Sequence, residues 1–175
     1  RVGPPLLTTE RQRIEILKSR GIDALCLIEF TDEIRTMEPE EFVEGVLVGV
    51  LRSEAVVVGA DFRFGADRRG DVALLERLGS DSGFSVTAVD LAGEGVPYSS
   101  SAIRAAIAAG DVEEASRLLG RPYRVSGRVV EGDRRGGTIG FPTANLETEP
   151  GQLIPQRGVY AVIVEHGERQ AGVAN

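Results

Sequence analysis

Residues 55–65 read AVVVGADFRFG, and this stretch decides the fold class. Its first four residues form a continuous apolar run, which is typical of a strand buried on both faces of a parallel sheet. The loop after this run starts and ends with glycine, which permits tight backbone turns. Ligands bind at the carboxyl ends of parallel strands, so the loop is a candidate binding site. Its candidate residues are Gly59, Asp61, Phe62, Phe64 and Gly65.

Two phenylalanines alternate in this loop, at positions 62 and 64. One interpretation is that they pack against a nucleobase. The other is a structured loop that folds onto the core and buries one aromatic ring. The sequence of the loop alone leaves both interpretations open.

Strand and helix patterns alternate on both sides of this stretch. The apolar runs at residues 24–28 and 84–89 predict two more buried strands, with Cys26 inside the first. Buried strands that alternate with helices predict a parallel, doubly wound α/β sheet for residues 1–120. Helices are predicted from a capping box at Thr9 and Gln12, from Pro39, over residues 72–78 and 99–109, and over residues 112–119 after a cap at Asp111.

The pattern changes after Gly120. Residues 123–130 alternate with a period of two, residues 158–164 form another strand-like run, and His166 with Gly167 predicts a turn into a further strand. These features predict an antiparallel β-barrel or sandwich for residues 121–175. The chain is therefore predicted to hold an α/β domain, residues 1–120, followed by a small β-domain, residues 121–175.

Composition narrows the class of protein. The 175 residues are 42% hydrophobic and 27% charged, which is typical of a globular protein and argues against disorder. The formal net charge is −7, with 13 basic and 21 acidic side chains in residues 1–120 and 7 basic and 6 acidic in residues 121–175. A chain without a basic surface binds nucleic acid poorly, so no nucleic-acid partner is expected.

Cysteine and histidine are each present once, as Cys26 and His166. One cysteine excludes an intramolecular disulfide and a cysteine-rich zinc site, and one histidine excludes any two-histidine motif. No apolar run approaches the roughly 20 residues that span a bilayer, and residues 1–5 lack the apolar segment of a secretory signal. These observations predict a cytoplasmic protein without a membrane partner.

A second candidate site is the segment that precedes the helix predicted at residues 99–109. Three hydroxyls, Ser99, Ser100 and Ser101, stand where the free N–H groups and the dipole of that helix attract an anion. Arg104 follows one turn later and can reach the same phosphate. The alternative is an ordinary serine cap with a surface arginine, because serine caps are common.

A third candidate site is the glycine-rich, basic stretch at residues 132–140, whose N–H groups can cradle phosphates. It is followed by Pro142, Thr143 and Asn145. The last two side chains offer oxygens that suit hydrated Mg²⁺, and in a strand they face the same side. The alternative is a long hairpin loop that ends in an Asn-Thr turn.

These motifs, taken in order, resemble the bacterial bifunctional riboflavin kinase/FAD synthetase family. They are Gly-x-Asp-Phe-x-Phe-Gly, Ser-Ser-Ser-x-x-Arg, Leu-Leu-Gly-Arg-Pro-Tyr, Gly-Phe-Pro-Thr-Ala-Asn and Gly-Val-Tyr-Ala. The resemblance covers essentially the whole chain. It implies a Rossmann-like nucleotidyltransferase domain that converts FMN to FAD, followed by a β-barrel kinase domain that phosphorylates riboflavin. The implied substrates are riboflavin, FMN and ATP, and the implied metal is Mg²⁺.

The resemblance also assigns roles to residues. It implies that the 59–65 loop residues and Ser99–Ser101 bind nucleotide, with Arg104 as a catalytic residue at the departing pyrophosphate. In the kinase half it implies nucleotide binding by Gly136, Gly140, Pro142 and Thr143, and metal binding by Thr143 and Asn145. Asp61 stands where the family commonly has Asn, and Ser101 where it usually has Thr.

Two family features are missing from this sequence: the His-x-Gly-His loop and the glutamate that is the kinase base. The sequence is therefore expected to be an internal fragment that holds half of each active site and is inactive alone. Two other functions stay open. One is a related nucleotidyltransferase with an inactive barrel, and the other is a nucleotide- or RNA-binding module with an oligonucleotide-type barrel.

Overall fold

A computed structural model describes residues 3–90, 98–131 and 143–175. The chain divides into two compact units: one is Leu25–Pro97, and the other joins Arg1–Ala24 to Tyr98–Asn175. The α-helices of the described residues are α1 (Glu10–Ser19), α2 (Asp32–Thr36), α3 (Pro39–Phe42), α4 (Val72–Ser82), α5 (Ser100–Ala108) and α6 (Val112–Leu119). The strands are β1 (Ala55–Gly59), β2 (Ser85–Val89), β3 (Gly127–Val130), β4 (Asn145–Thr148), β5 (Tyr160–His166) and β6 (Glu168–Ala174).

The unit Leu25–Pro97 is built on β1 and β2, which pair in parallel with Ala55 opposite Ser85. Helix α3 continues into a π-helix, Val43–Val50, and α4 connects β1 to β2. The capping carboxylate of Asp71 accepts a hydrogen bond from Leu74 N at 2.9 Å and starts α4. The core of this unit consists of Val43, Phe64, Leu75 and Phe84. The predicted parallel strand pair and its crossover helix are confirmed.

The other unit contains α1, α5, α6 and four strands. Ser99 caps α5 and Asp111 caps α6, as the sequence predicts. The two helices bury Ile103, Ile107, Ala115 and Leu118 in a common cluster. Strands β3 and β4 form one antiparallel pair and β5 and β6 another, with the β5–β6 turn at Gly167. The antiparallel character of residues 121–175 is confirmed, although the described strands form separate pairs and no closed barrel.

The strand predicted at residues 24–28 is wrong. The structure assigns no strand there, and the segment is exposed, with Leu27 54% and Ile28 45% exposed. Cys26, which was expected in a core strand, is likewise exposed. The physical reason is pairing, because an apolar run becomes a buried strand only beside a neighbouring strand. In the described part of the chain, the parallel sheet contains β1 and β2 alone.

The prediction that β1 is buried on both faces is also wrong, because in the described chain β1 has only β2 as a neighbouring strand. Val56 and Val58 pack against the core, but Val57 between them is 67% exposed. One face of this two-stranded sheet is covered and the other is open. The strand itself is correctly predicted.

Strand β3 is shorter than the predicted residues 123–130, because earlier backbone groups bond to side chains instead of a neighbouring strand. The carbonyl of Arg124 accepts hydrogen bonds from the side-chain amides of Gln12 and Gln152. The N–H of Ser126 donates to the side-chain oxygen of Gln152. Ladder pairing therefore begins only at Gly127.

Candidate functional site

The loop after β1 folds onto the core of its own unit. Phe64 is 6% exposed and stacks on the ring of Phe62, with centroids 5.5 Å apart and planes 14° apart. Its ring also lies 5.9 Å from that of Phe42. Of the two sequence interpretations, burial of one aromatic against the core is the one observed for Phe64. Phe62, which is partly exposed, is the phenylalanine that remains accessible to a ligand.

Backbone contacts hold this loop in place. Phe64 and Gly70 exchange two backbone hydrogen bonds of 3.1 and 2.9 Å. Gly65 has φ +70°, and a Cβ at this position would lie 2.6 Å from the Pro39 ring. Glycine is therefore required at position 65 by both conformation and close packing. These contacts give the loop a defined backbone conformation at the end of β1.

The polar groups that the loop presents are few. Asp61 is exposed just beyond the carboxyl end of β1, and Gly59 accepts a hydrogen bond from Phe62 N at 2.9 Å. Ala60 N donates to Val89 O, which ties the loop to the end of β2. Asp61 is thus a carboxylate on a rigid turn where two parallel strands end, the position at which α/β sheets bind ligands.

The start of α5 divides the roles of its three serines. Ser99 Oγ accepts a hydrogen bond from Ala102 N at 3.2 Å, so Ser99 is the helix cap. Ser100 and Ser101 are exposed in the first turn. A cap of this kind satisfies one N–H group and leaves the others of the first turn for a ligand. Both the capping interpretation and the anion interpretation are compatible with this geometry.

Arg104 lies on the next turn of α5 and is partly exposed. Its Nε donates a hydrogen bond of 2.8 Å to the carbonyl of Pro5. Within the described residues, the guanidinium forms no other hydrogen bond and no ion pair with a carboxylate. The terminal amino groups of this guanidinium therefore have no described partner and are available to an anionic ligand.

Only some of the candidate site residues in residues 121–175 lie among the described residues. Gly136, Gly140 and Pro142 lie outside the described residues. Asn145 is the first residue of β4, opposite Val130, and Thr143 lies two residues before that strand. Both side chains are exposed. The two side chains were predicted to face the same side if both residues lay in one strand. Asn145 lies in β4 and Thr143 does not, so this condition is not met.

The donor set at this segment fits a hydrated Mg²⁺. A hydroxyl and an amide carbonyl are hard oxygen ligands, and their exposure leaves room for the metal's water shell. No cluster of three or more histidine, cysteine, aspartate or glutamate side chains suited to a metal ion occurs among the described residues. A magnesium ion here would therefore depend on a few protein oxygens together with its substrate, as Mg²⁺ sites commonly do.

Two side chains in or near α6, Glu114 and Tyr123, have shifted pKa values. A hydrogen bond from Arg117, with Nε 2.7 Å from the carboxylate, lowers the pKa of Glu114. Desolvation raises the pKa of Tyr123, and the nearby charge of Arg121 opposes that effect. The Tyr123 hydroxyl donates to Leu153 O at 2.6 Å. These groups support the helix pair and do not belong to the candidate residues.

Sequence reasoning missed the groups that hold the candidate residues in place. The sequence around Pro5 and Gln152 does not indicate that these residues form structural contacts. Every residue has a backbone carbonyl, and glutamine is usually exposed. Gln12 was recognised only as part of the capping box, which the structure confirms. Its second contact, with Ser126, joins positions too distant for any spacing rule to find.

Residues 2–102 match the family model described as FAD synthetase, which is more than half of the chain. The chain belongs to the FAD synthetase family. Residues 119–175 of this FAD synthetase family member match a second model, riboflavin kinase. The resemblance drawn from the five motifs is confirmed.

Relatives of this FAD synthetase family member carry both names. The bifunctional riboflavin kinase/FMN adenylyltransferase of Escherichia coli strain K12 is 42% identical over an alignment of 176 positions that covers 99% of this chain and 56% of the relative. The protein of the same name from Listeria monocytogenes is 40% identical over 171 residues, 97% of this chain and 54% of the relative. The chain thus spans about half the length of the curated relatives it matches.

A solved structure is also similar to this FAD synthetase family member. It is described as a macrolide-efflux protein from Streptococcus pneumoniae, with a TM-score of 0.86 and 32% identity over 95% of this chain and 54% of that chain. Among the described residues of this chain, no helix is both long and apolar enough to cross a membrane.

Proposed function

We propose that the protein carrying this chain synthesises FMN and FAD, acting as a riboflavin kinase and an FMN adenylyltransferase. The observation that carries the proposal is the succession of two family matches, FAD synthetase and then riboflavin kinase, on one chain. Relatives that carry both names in one protein match along nearly the whole chain. In this proposal residues 1–120 serve adenylyl transfer in a Rossmann-like fold, and residues 121–175 serve the kinase reaction in a β-barrel.

In adenylyl transfer, a phosphate oxygen of FMN attacks the α-phosphorus of ATP. The bond from that phosphorus to the bridging oxygen breaks, and pyrophosphate leaves with the bonding electrons. Residues Gly59, Asp61, Phe62, Phe64 and Gly65 form the nucleotide-binding loop, with Phe64 as its buried support. Ser100 and Ser101 at the start of α5, capped by Ser99, bind phosphate together with Arg104. The guanidinium of Arg104 stabilises the charge that develops on the pyrophosphate.

In the kinase reaction, the terminal ribityl hydroxyl of riboflavin attacks the γ-phosphorus of ATP. The bond from that phosphorus to the bridging oxygen breaks, ADP leaves with the bonding electrons, and the hydroxyl proton is released to solvent. Positioning and charge neutralisation dominate transfers of this kind. Gly136, Gly140 and Pro142 belong to the phosphate loop, and Thr143 and Asn145 offer oxygens to magnesium. When it is bound, Mg²⁺ neutralises phosphate charge.

The proposed partners are the small molecules riboflavin, FMN and ATP, and the proposed location is the cytoplasm. An exposed, unpaired thiol at Cys26 supports a reducing compartment. ATP is the phosphate donor in the kinase reaction and the adenylyl donor in the transferase reaction.

The test is to supply the two reactions separately to the protein carrying residues 1–175. Riboflavin with ATP and magnesium should give FMN, and FMN with ATP and magnesium should give FAD and pyrophosphate, each separated by chromatography with flavin fluorescence. Omitting ATP is the control. Failure to form either product would contradict the proposal, and formation of FAD alone would favour a nucleotidyltransferase with an inactive barrel.

A further inference from the structure

Among the residues that the structure describes, the guanidinium of Arg104 is anchored at one atom, Nε. Its Nε donates to Pro5 O at 2.8 Å, and no second hydrogen bond of this side chain occurs among the described residues. The guanidinium is planar, with five N–H donors in a fixed geometry. The bond at Nε therefore restricts the orientation of this plane and of the two terminal amino groups in it. The position of Pro5 decides where those amino groups point.

Pro5 is in turn held through its neighbour Leu6. Leu6 N donates to Gly151 O at 2.7 Å, and Leu153 N donates to Leu6 O at 2.9 Å. The two bonds pair Leu6 with Gln152 as a short parallel bridge. The partner segment belongs to the part of the chain that matches riboflavin kinase, whereas Arg104 belongs to α5 beside the FAD synthetase match.

The side chain of Gln152 holds the segment that pairs with Leu6, and both belong to the same compact unit. It is 7% exposed, and its side-chain oxygen accepts from Ser126 N at 3.2 Å. Its side-chain nitrogen donates to Gln12 Oε1 at 3.2 Å and to Arg124 O at 3.1 Å. The acceptor and both donor hydrogens of the amide are therefore used. A buried amide satisfied in this way has one stable orientation.

We infer that Gln152 is a positioning residue for Arg104, acting through Leu6 and the carbonyl of Pro5. This rests on the proposed function, in which Arg104 binds pyrophosphate. The consequence is that a residue of the riboflavin kinase segment sets the geometry of the adenylyl-transfer site. Preorganisation matters at such a site, because small displacements of a charged group lower the rate steeply.

The first test measures the hydrogen bond between Arg104 and Pro5 directly and does not depend on catalytic activity. In the 175-residue chain, nuclear magnetic resonance measures hydrogen exchange at the Nε–H of Arg104. Gln152→Leu removes the amide that fastens the segment, so we expect exchange about tenfold faster. Gln156→Leu, the same change at an exposed glutamine four residues later, should leave exchange unchanged. Unchanged exchange in folded Gln152→Leu overturns the inference.

A second pair of variants answers the same question if Gln152→Leu does not fold. Gly151 has φ +79° and supplies the carbonyl bonded to Leu6 N. Gly167 has φ +77° in the β5–β6 turn, with nothing within 4 Å of an added Cβ. Alanine strains both backbones equally, but only Gly151→Ala should speed exchange at Arg104. Equal exchange in the two variants overturns the inference.

The last arm separates this inference from the proposed function. In the protein carrying residues 1–175, the reverse reaction consumes FAD and pyrophosphate, and its KM for pyrophosphate is measured. Gln152→Leu should raise that KM about tenfold, and adding Arg104→Ala should raise it less than the product of the single effects, because both act through one side chain. Fully multiplicative effects overturn the inference. If Arg104→Ala alone leaves the KM unchanged, the proposed role of Arg104 is wrong, and the exchange result still decides the anchoring.

Discussion

The side-chain amide of Gln12 donates a hydrogen bond of 2.6 Å to the hydroxyl of Ser126, although 114 positions separate the two residues. Both residues are buried, at 2% and 8% exposure. The same glutamine also completes the capping box of α1 with Thr9. One side chain thus starts a helix and joins it to a segment near the other end of the chain.

Gln12→Leu should destabilise the unit that contains α1. The change leaves the hydroxyl of Ser126 and the N–H of Thr9 without the hydrogen-bond partner that the described structure gives each of them, and an unsatisfied buried group costs about 1–3 kcal/mol. Urea denaturation followed by circular dichroism measures the loss of unfolding free energy. Arg13→Ala, at an exposed position on the same helix, is the matched control. Equal stability of both variants would mean that the buried contacts add nothing.

Arg104→Ala should depress FAD synthesis and spare FMN synthesis in the protein carrying residues 1–175. Loss of a charged contact to the departing pyrophosphate costs about 3 kcal/mol, roughly 100-fold in rate. Separate assays of FAD formation from FMN and of FMN formation from riboflavin measure the two effects. Arg13→Ala again controls for the loss of a surface charge. Unchanged adenylyl transfer would make Arg104 a surface arginine.

Asn145→Ala should produce the opposite selectivity. It removes the oxygen proposed for magnesium, so riboflavin phosphorylation should fall at least about tenfold while FAD formation from supplied FMN persists. Asn145→Asp keeps an oxygen and adds a charge, so its activity should exceed that of the alanine variant at high magnesium concentration. Phosphorylation that keeps its rate and magnesium dependence in Asn145→Ala would reduce this segment to a structural turn.

Tyr123 should make the unfolding free energy depend on alkaline pH. Desolvation raises the pKa of its hydroxyl above the ordinary 10.0, so the folded protein favours the neutral phenol. This stabilisation is complete below pH 10 and is lost as pH rises through the folded-state pKa. Tyr123→Phe should therefore lose less stability than the wild type when denaturation is repeated from about pH 8 to about pH 11. Tyr98→Phe, at an exposed tyrosine, is the control, and equal pH slopes for Tyr123→Phe and wild type would refute this explanation.

Local patterns predicted the elements whose signals are local. The caps at Thr9, Ser99 and Asp111 involve residues three positions apart, and all three are confirmed. The parallel pairing of β1 with β2 was likewise predictable, because apolar strands joined by a helix pair in parallel.

What failed depended on partners that a pattern does not contain. Residues 24–28 have the composition of a buried strand, yet the described chain pairs no strand with them and Leu27 stays exposed. For the candidate site, the sequence indicated Arg104 but could not indicate Pro5, because the recognised group is a backbone carbonyl. Long-range hydrogen bonds have no period along the chain.

The contacts between Gln12 and Gln152 have a consequence for synthesis on the ribosome. The two residues lie 140 positions apart, so α1 leaves the ribosome long before its buried partner exists. At roughly 5–20 residues per second, about 7–30 s of translation separate them. During that interval the polar face of α1 is solvated and the helix lacks its native packing. The segment Leu25–Pro97 can collapse first as a unit of its own, and the buried contact of Gln12 with Gln152 forms only after Gln152 has emerged.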